Sequence, residues 1–288
     1  MDYFFLIASV FCASSSSIVS SLYNRKNKDK KGISALFNLI LILSVFLSWL
    51  VMFLLDGTYD VAVLPYAFLF AIFFAMGNFG IINAIKTGSV MLSSLFNQLA
   101  LIVTSIWSFF FWNEKFTLLS GIGLALTVIA ICLCLMNGKD EKKGFSVRWI
   151  IYVLFAFAGN AGCSIVQRTQ QMTFGGKYGN FLMVVATGLS IITFVIIYLK
   201  SDRSDSGELV KTSWYYPVIA GVLNAVLNLF VILMATSSLS PSLIYPTIAV
   251  GSLALVMIFS LFIMKEKMRW WQWVGVALGA AATAILSI

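Results

Sequence analysis

Histidine is absent from this 288-residue chain, and Lys, Arg, Asp and Glu together make up only 10% of it. No Asp or Glu stands at the centre of an apolar stretch, which removes the carboxylate and imidazole relays that carry protons through membrane pumps. Cysteine is scarce too, and Cys12, Cys132, Cys134 and Cys163 all lie within apolar segments. Cys132 and Cys134 are too close for zinc-finger spacing, and without histidine no mixed metal site can be completed. Neither a phosphate-binding glycine loop nor a pair of midplane carboxylates occurs, so no catalytic group, metal or cofactor is expected.

What the chain has in quantity is hydrocarbon. Its residues are 60% hydrophobic and its mean hydropathy is +0.97, far from the soluble range. A bilayer core of about 30 Å needs roughly 20 apolar residues of helix. Ten stretches approach that length: 3–23, 33–55, 63–85, 88–112, 118–136, 149–170, 181–199, 214–236, 240–264 and 270–288. Charges fall almost wholly between them, as the cost of about 2.5 to 3.5 kcal/mol for a mid-helix Asp, Lys or Arg requires. No basic segment precedes the first stretch, which reads as a helix rather than a cleavable signal. The fold class is therefore an all-α polytopic membrane protein.

The net charge of +8 is explained by topology. If the loop after the first span defines side A, then every Lys and Arg but Lys115, Arg168 and Lys177 falls on that side. Positive charge concentrates in cytoplasmic loops, so side A is expected in the cytoplasm and both termini outside. Nucleic acid is not implied. The run Asn24 to Lys31 reads as a solvated loop with generic attraction to anionic lipid.

The two halves resemble one another. Glu114, Lys115, Gly123, Ala125, Leu126 and Ala130 match Glu266, Lys267, Gly275, Ala277, Leu278 and Ala282 at a constant offset. With small shifts of register, Thr87, Ser93 and Phe96 match Thr236, Ser242 and Tyr245. Five spans per copy is an odd number, so the second copy enters the membrane inverted, an arrangement found in many secondary transporters. The organisation expected is ten helices in two inverted five-helix repeats, residues 1–136 and 148–288, joined by a cytoplasmic linker over 137–147. The two Glu-Lys turns, Asn113–Glu114–Lys115 and Lys265–Glu266–Lys267, each followed by a glycine-containing apolar helix, resemble the EamA-like branch of the drug/metabolite transporter superfamily. The resemblance implies a ten-helix inverted-repeat fold and a central cavity walled by spans three, four, eight and nine with one and six. With the inverted repeat, the function expected is a secondary transporter, facilitator or exchanger, that moves a small polar metabolite by alternating access across a bacterial cell membrane. Relatives usually keep both termini in the cytoplasm, where this chain's charge count differs. A monomer in contact with lipid is expected.

Candidate binding residues are polar groups at mid-span, where lipid offers them no partner. In the first span these are Ser14, Ser15, Ser16 and Ser17, of which Ser14 and Ser17 are taken for the cavity; some of the four must bond to their own backbone. Asn160 in the sixth span, beside Gly159 and Gly162, serves a cavity or close helix packing. Asn78 in the third span and Asn224 and Asn228 in the eighth serve a cavity or interhelical hydrogen bonds; the latter two, one turn apart, share a face. Asn97 and Gln98 match Pro246 and Thr247, next to Tyr245. Ser240 and Pro241 read as a helix cap and first residue. Glu114 and Glu266 read as turn-pairing residues beside their lysines. Arg168 either snorkels to the interface or, with Lys177, attracts an anionic or zwitterionic solute at the outer mouth. Gly275 and Gly279 form a GxxxG pair suited to packing within one chain. Asn and Ser groups suit amino acids, sugars and nucleosides alike. The rival expectation is an intramembrane enzyme or a receptor-like scaffold.

Overall fold

The computed structural model describes residues 1–27, 29–87, 90–135, 146–262 and 269–287. Among these it has no strand, one 3-10 turn at Val61–Val63 and eleven α-helices: α1 Asp2–Lys26, α2 Ile33–Asp56, α3 Leu64–Thr87, α4 Val90–Phe111, α5 Leu118–Leu135, α6 Val147–Thr173, α7 Gly179–Leu199, α8 Ser206–Ser213, α9 Tyr215–Met234, α10 Pro241–Phe262 and α11 Trp270–Leu286. Seven are long and apolar enough to cross a membrane, namely α1, α2, α3, α6, α7, α9 and α10, while α4, α5 and α11 contribute shorter apolar helices. Residues 137–145 of the expected linker and the Lys265–Glu266–Lys267 turn lie outside the described residues.

Local chemistry sets the helix ends. Asp2 opens α1, and Arg25 and Lys26 close it, each charge complementing the helix dipole. The Ser146 hydroxyl accepts the Trp149 N–H at 3.1 Å, capping α6. Ser240 and Pro241 start α10 as their types require, with the Ser240 carbonyl taking the Ile244 N–H at 3.0 Å. Gly57, at φ 65°, ends α2 in the left-handed conformation that glycine adopts without steric cost.

The eight-residue helix α8 was not foreseen from the sequence. It is too short and too charged to register as a span, and its formation depends on burying Leu209 against Tyr23, Leu36 and Phe37, a contact between distant segments that periodicity does not report.

Helices pack so that α3 lies on α6 and α7, α1 on α9 and α10, α2 on α7 and α9, α4 on α6 and α10, and α5 on α11. The α3–α6 crossing is the tightest in backbone terms. A Cβ added to Gly80 would lie 2.3 Å from the Ala156 nitrogen, and one added to Gly159 would lie 2.3 Å from the Gly77 nitrogen. Small residues let two backbones touch where lipid supplies no hydrophobic drive for association. Gly275 meets Cys134 and Ala130 of α5, and Gly279 meets Val250 of α10, so the GxxxG pair packs within the chain.

The junctions gather at two ends. At one, the Lys26 ammonium donates to the Thr212 carbonyl at 3.0 Å, Lys30 pairs with Glu208 at 2.7 Å and Lys31 with Asp202 at 3.1 Å; this is side A. At the other, side B, the Ser238 hydroxyl donates to Asp2 at 3.3 Å and the Asn180 amide to Asp56 at 3.2 Å. Between the ends the exterior is apolar, with Phe68, Ile72, Phe110 and Ile192 exposed, as a hydrocarbon solvent allows.

Candidate functional site

At mid-depth the helices enclose a cavity of about 380 Å³. Its walls come from α1, α3, α4, α6, α9 and α10, with Val45, Met183 and Thr187 added from α2 and α7. The position follows from the packing: α3 and α6 form one tight wall and α1 and α9 another, with α4 and α10 crossing between them.

Ser17, Asn78, Asn97, Gln98, Asn160, Asn224, Asn228 and Tyr245 all line it. Ser14 does not: it is buried and its hydroxyl donates to the Phe11 carbonyl at 2.9 Å, which answers the need for some of the four serines to bond locally. Ser16 lines the cavity instead and donates to the Ala220 carbonyl of α9 at 3.1 Å. Asn83 bonds back to the Phe79 carbonyl at 2.8 Å and is not among the lining residues.

The amides form two connected groups. The Gln167 amide donates to the Asn228 side-chain oxygen at 3.4 Å, and Asn228 in turn donates to the Asn224 carbonyl at 2.9 Å and side-chain oxygen at 3.2 Å. Across the cavity, Asn160 donates to the Asn97 main-chain carbonyl at 2.8 Å, joining α6 to α4. Asn78 donates to the Phe74 carbonyl at 2.8 Å. The side chains of Asn97 and Gln98 and the hydroxyls of Ser17 and Tyr245 make no hydrogen bond among the described residues. They are therefore available to a solute with both donors and acceptors.

Facing these amides, α3 presents Phe70, Phe73 and Phe74. Phe70 and Phe74 stack at 6.0 Å, and Phe73 fills the space beside Gly162, where a Cβ would come within 2.4 Å of the ring. No Asp, Glu, Lys or Arg lines the cavity among the described residues. The cavity candidates chosen from the sequence did not include Gln167, Ser164, Thr187, Ser252 or the phenylalanines. A signal for two of them was present: Ser164 and Gln167 follow Asn160 by four and seven residues and so share its helix face.

Toward side B of the bundle lie charged and amide groups that tie helix ends together. Glu114 accepts the Ser108 and Ser242 hydroxyls and the Ser242 N–H at 3.3 Å, linking the end of α4 to the first turn of α10. That is a charge-assisted cap at a helix N-terminus, so Glu114 is a pairing residue whose partners are serines rather than Lys115. The Ser105 hydroxyl reaches the Pro241 carbonyl at 3.4 Å. Arg168 is 7% exposed and donates to the Met234 carbonyl at 2.9 Å; Lys177 is exposed in the α6–α7 turn, and its carbonyl accepts the Gln170 amide at 3.0 Å.

Comparison with known proteins bears on what such a cavity is for. Residues 1–136 match the EamA-like transporter family. That agrees with the drug/metabolite transporter resemblance carried by the Glu-Lys turns. An uncharacterized protein of Haemophilus influenzae is 21% identical over 205 residues, covering 69% of this chain and 67% of its own length. A solved crystal structure, described only as that of a protein, superposes with a TM-score of 0.73 at 14% identity, covering 99% of this chain and 95% of the other. At that identity the likeness concerns the fold alone. The EamA-like match and the apolar helices make the chain an integral membrane protein.

Proposed function

We propose that this EamA-like chain is a secondary transporter that moves a small polar metabolite through the central cavity by alternating access, as a facilitator or exchanger. The observation that carries the reading is the cavity itself, which sets amides and hydroxyls beside phenylalanines, has no charged side chain among the described residues lining it, and is walled by helices from both halves of the chain. Its volume is at the low end of the roughly 300–1,000 Å³ of small-molecule sites, which suits a metabolite the size of an amino acid, sugar or nucleoside. Ser17, Asn78, Asn97, Gln98, Asn160, Asn224, Asn228 and Tyr245 are its contacts, and Lys177 draws anionic or zwitterionic solutes toward the side B mouth.

The inverted-repeat reading has support in the packing. Exchanging the first five spans for the second five turns the α3–α6 contact into α9–α1, α4–α6 into α10–α1 and α3–α7 into α9–α2, all of which occur, while α2–α7, α4–α10 and α5–α11 map onto themselves. The family match also ends at residue 136, where the first repeat is read to end. Two units related in this way can trade conformations, opening the cavity first to one side and then to the other. By the positive-inside rule the termini are outside, and the working unit is a monomer in lipid.

Reconstitution tests the function. Purified protein in liposomes should equilibrate at least one labelled amino acid, sugar or nucleoside, and Asn228→Ala or Asn160→Ala should reduce the rate by about tenfold, as loss of one buried hydrogen bond of roughly 1.4 kcal/mol implies. If no solute of any class moves, the transporter reading fails and the scaffold or enzyme reading returns. A reporter fused to the C-terminus checks the orientation: activity of a periplasmic reporter supports an outside terminus, and activity of a cytoplasmic one overturns it.

A further inference from the structure

On α6 the cavity-lining residues Asn160, Ser164 and Gln167 are followed by Arg168. It stands eight residues after Asn160 and four after Ser164, so it shares their face and lies one turn nearer side B. Although 7% exposed, this guanidinium has among the described residues a single hydrogen bond, to the Met234 carbonyl. Its Nε is buried with no partner, and among the described residues no carboxylate forms an ion pair with it. The groups within electrostatic range are the Tyr245 hydroxyl and Glu114. Both Glu114 oxygens are already taken by Ser108 and Ser242.

A buried charge with most of its five donors unmet is costly, and an aliphatic side chain would fill the space without that cost. Within a membrane such a group is expected to serve a pathway. The missing element is an anion. Tyr245 bridges the two regions, since it lines the cavity and its hydroxyl lacks a hydrogen-bond partner.

We infer that Arg168 is the anion-recognition residue of the transport site, and that the transported solute carries an oxyacid group, carboxylate or phosphate, which docks between the Arg168 guanidinium and the Tyr245 hydroxyl. The body of the solute then lies against Phe70, Phe73 and Phe74 on one side and the Asn160, Gln167 and Asn228 amides on the other. The solute's negative charge balances the guanidinium, while its uncharged portion meets a cavity lined by no ionised group among the described residues. This rests on the transporter reading and narrows its substrate to acids.

The test uses the full-length protein in neutral detergent and matched probes: benzoate with benzamide, 3-phenylpropionate with 3-phenylpropionamide, and inorganic phosphate. Binding to the native state raises the melting temperature with ligand concentration. At least one acid should stabilise the wild-type protein saturably while its amide does not. Arg168→Gln should weaken that acid by roughly 10- to 100-fold, the range for a hydrogen bond to a charged group, and Arg168→Lys should restore part of it. The acid and amide comparison needs no variant, so misfolding of Arg168→Gln leaves it decisive.

Equal shifts by acid and amide, an acid shift that survives in Arg168→Gln, or no shift by any acid overturns the inference. So does an Arg168-dependent shift seen only with phosphatidylglycerol, which would make the anion a lipid headgroup. In each of these cases uptake of a neutral solute that is lost in Asn228→Ala keeps the transporter reading, and absence of all uptake removes it.

Discussion

The two ends of the bundle are held together by different means. At side A the charged ties are exposed ion pairs, Lys30–Glu208, with the two side chains 25% and 62% exposed, and Lys31–Asp202, at 68% and 51%, alongside buried neutral bonds such as Trp149 to Ser93. At side B, besides the exposed Ser238–Asp2 and Asn180–Asp56 hydrogen bonds, charged and amide groups are tied in buried or half-buried places, with Glu114 between Ser108 and Ser242, Arg168 on the Met234 carbonyl, and Gln170 on the Lys177 carbonyl. Exposed pairs compete with water and salt and contribute about 0.2–1 kcal/mol each, whereas a hydrogen bond to a charged group contributes about 1.5–3 kcal/mol. The difference teaches that charge left exposed in the loops ties the ends weakly, while charge drawn into the bundle fastens its helices.

Sharpening that comparison starts from the crossing both ends share. Gly80→Leu should be the most damaging change, because the new Cβ meets the backbone of α6, not a movable side chain. Overpacking of this kind costs about 3 kcal/mol or more, and fluorescence-detected size exclusion should show loss of the monodisperse peak. Glu114→Ala comes next, with an expected loss of about 3 kcal/mol from removing the carboxylate that joins Ser108 to Ser242 and the start of α10. Its combination with Ser242→Ala should cost less than the sum of the two alone, since they share one interaction; thermal unfolding in detergent measures both.

Lys30→Ala should cost only about 0.5 kcal/mol, vanishing at high salt. If it proved as harmful as Glu114→Ala, the contrast between the ends would collapse. Smallest is the acid response of Asp202, whose carboxyl is held below its ordinary range by the Ser204 N–H and by Lys31. A carboxyl lowered on folding contributes stability above its unfolded value and loses it as pH falls through the folded one. Unfolding curves below the usual carboxylate range should therefore show a slight loss that Asp202→Asn abolishes.

Much of the cavity was legible because the cost of an amide in hydrocarbon leaves few reasons for one to be there. That argument found Asn160, Asn224 and Asn228, and it missed Phe73 and Phe74, since an apolar side chain in an apolar helix carries no signal of which way it faces. It also grouped Ser14 with Ser17, although only one of the two reaches the cavity. Arg168 was visible as a lone cation near a helix end. Whether it reached toward water or into the bundle depended on the end of α9, whose Met234 carbonyl it meets.

The sequence by itself determined the membrane as solvent, the helical class, the positions of the apolar spans and the sidedness of charge, because each follows from transfer energies summed along the chain. Tertiary structure decided which face of each helix turns inward, that Gly80 and Gly159 bring α3 and α6 into backbone contact, that α8 forms on Tyr23 and Phe37, and that Arg168 is enclosed. These depend on contacts between residues far apart in the chain, and in a bundle where every surface is apolar, only close packing and hydrogen bonding distinguish one neighbour from another.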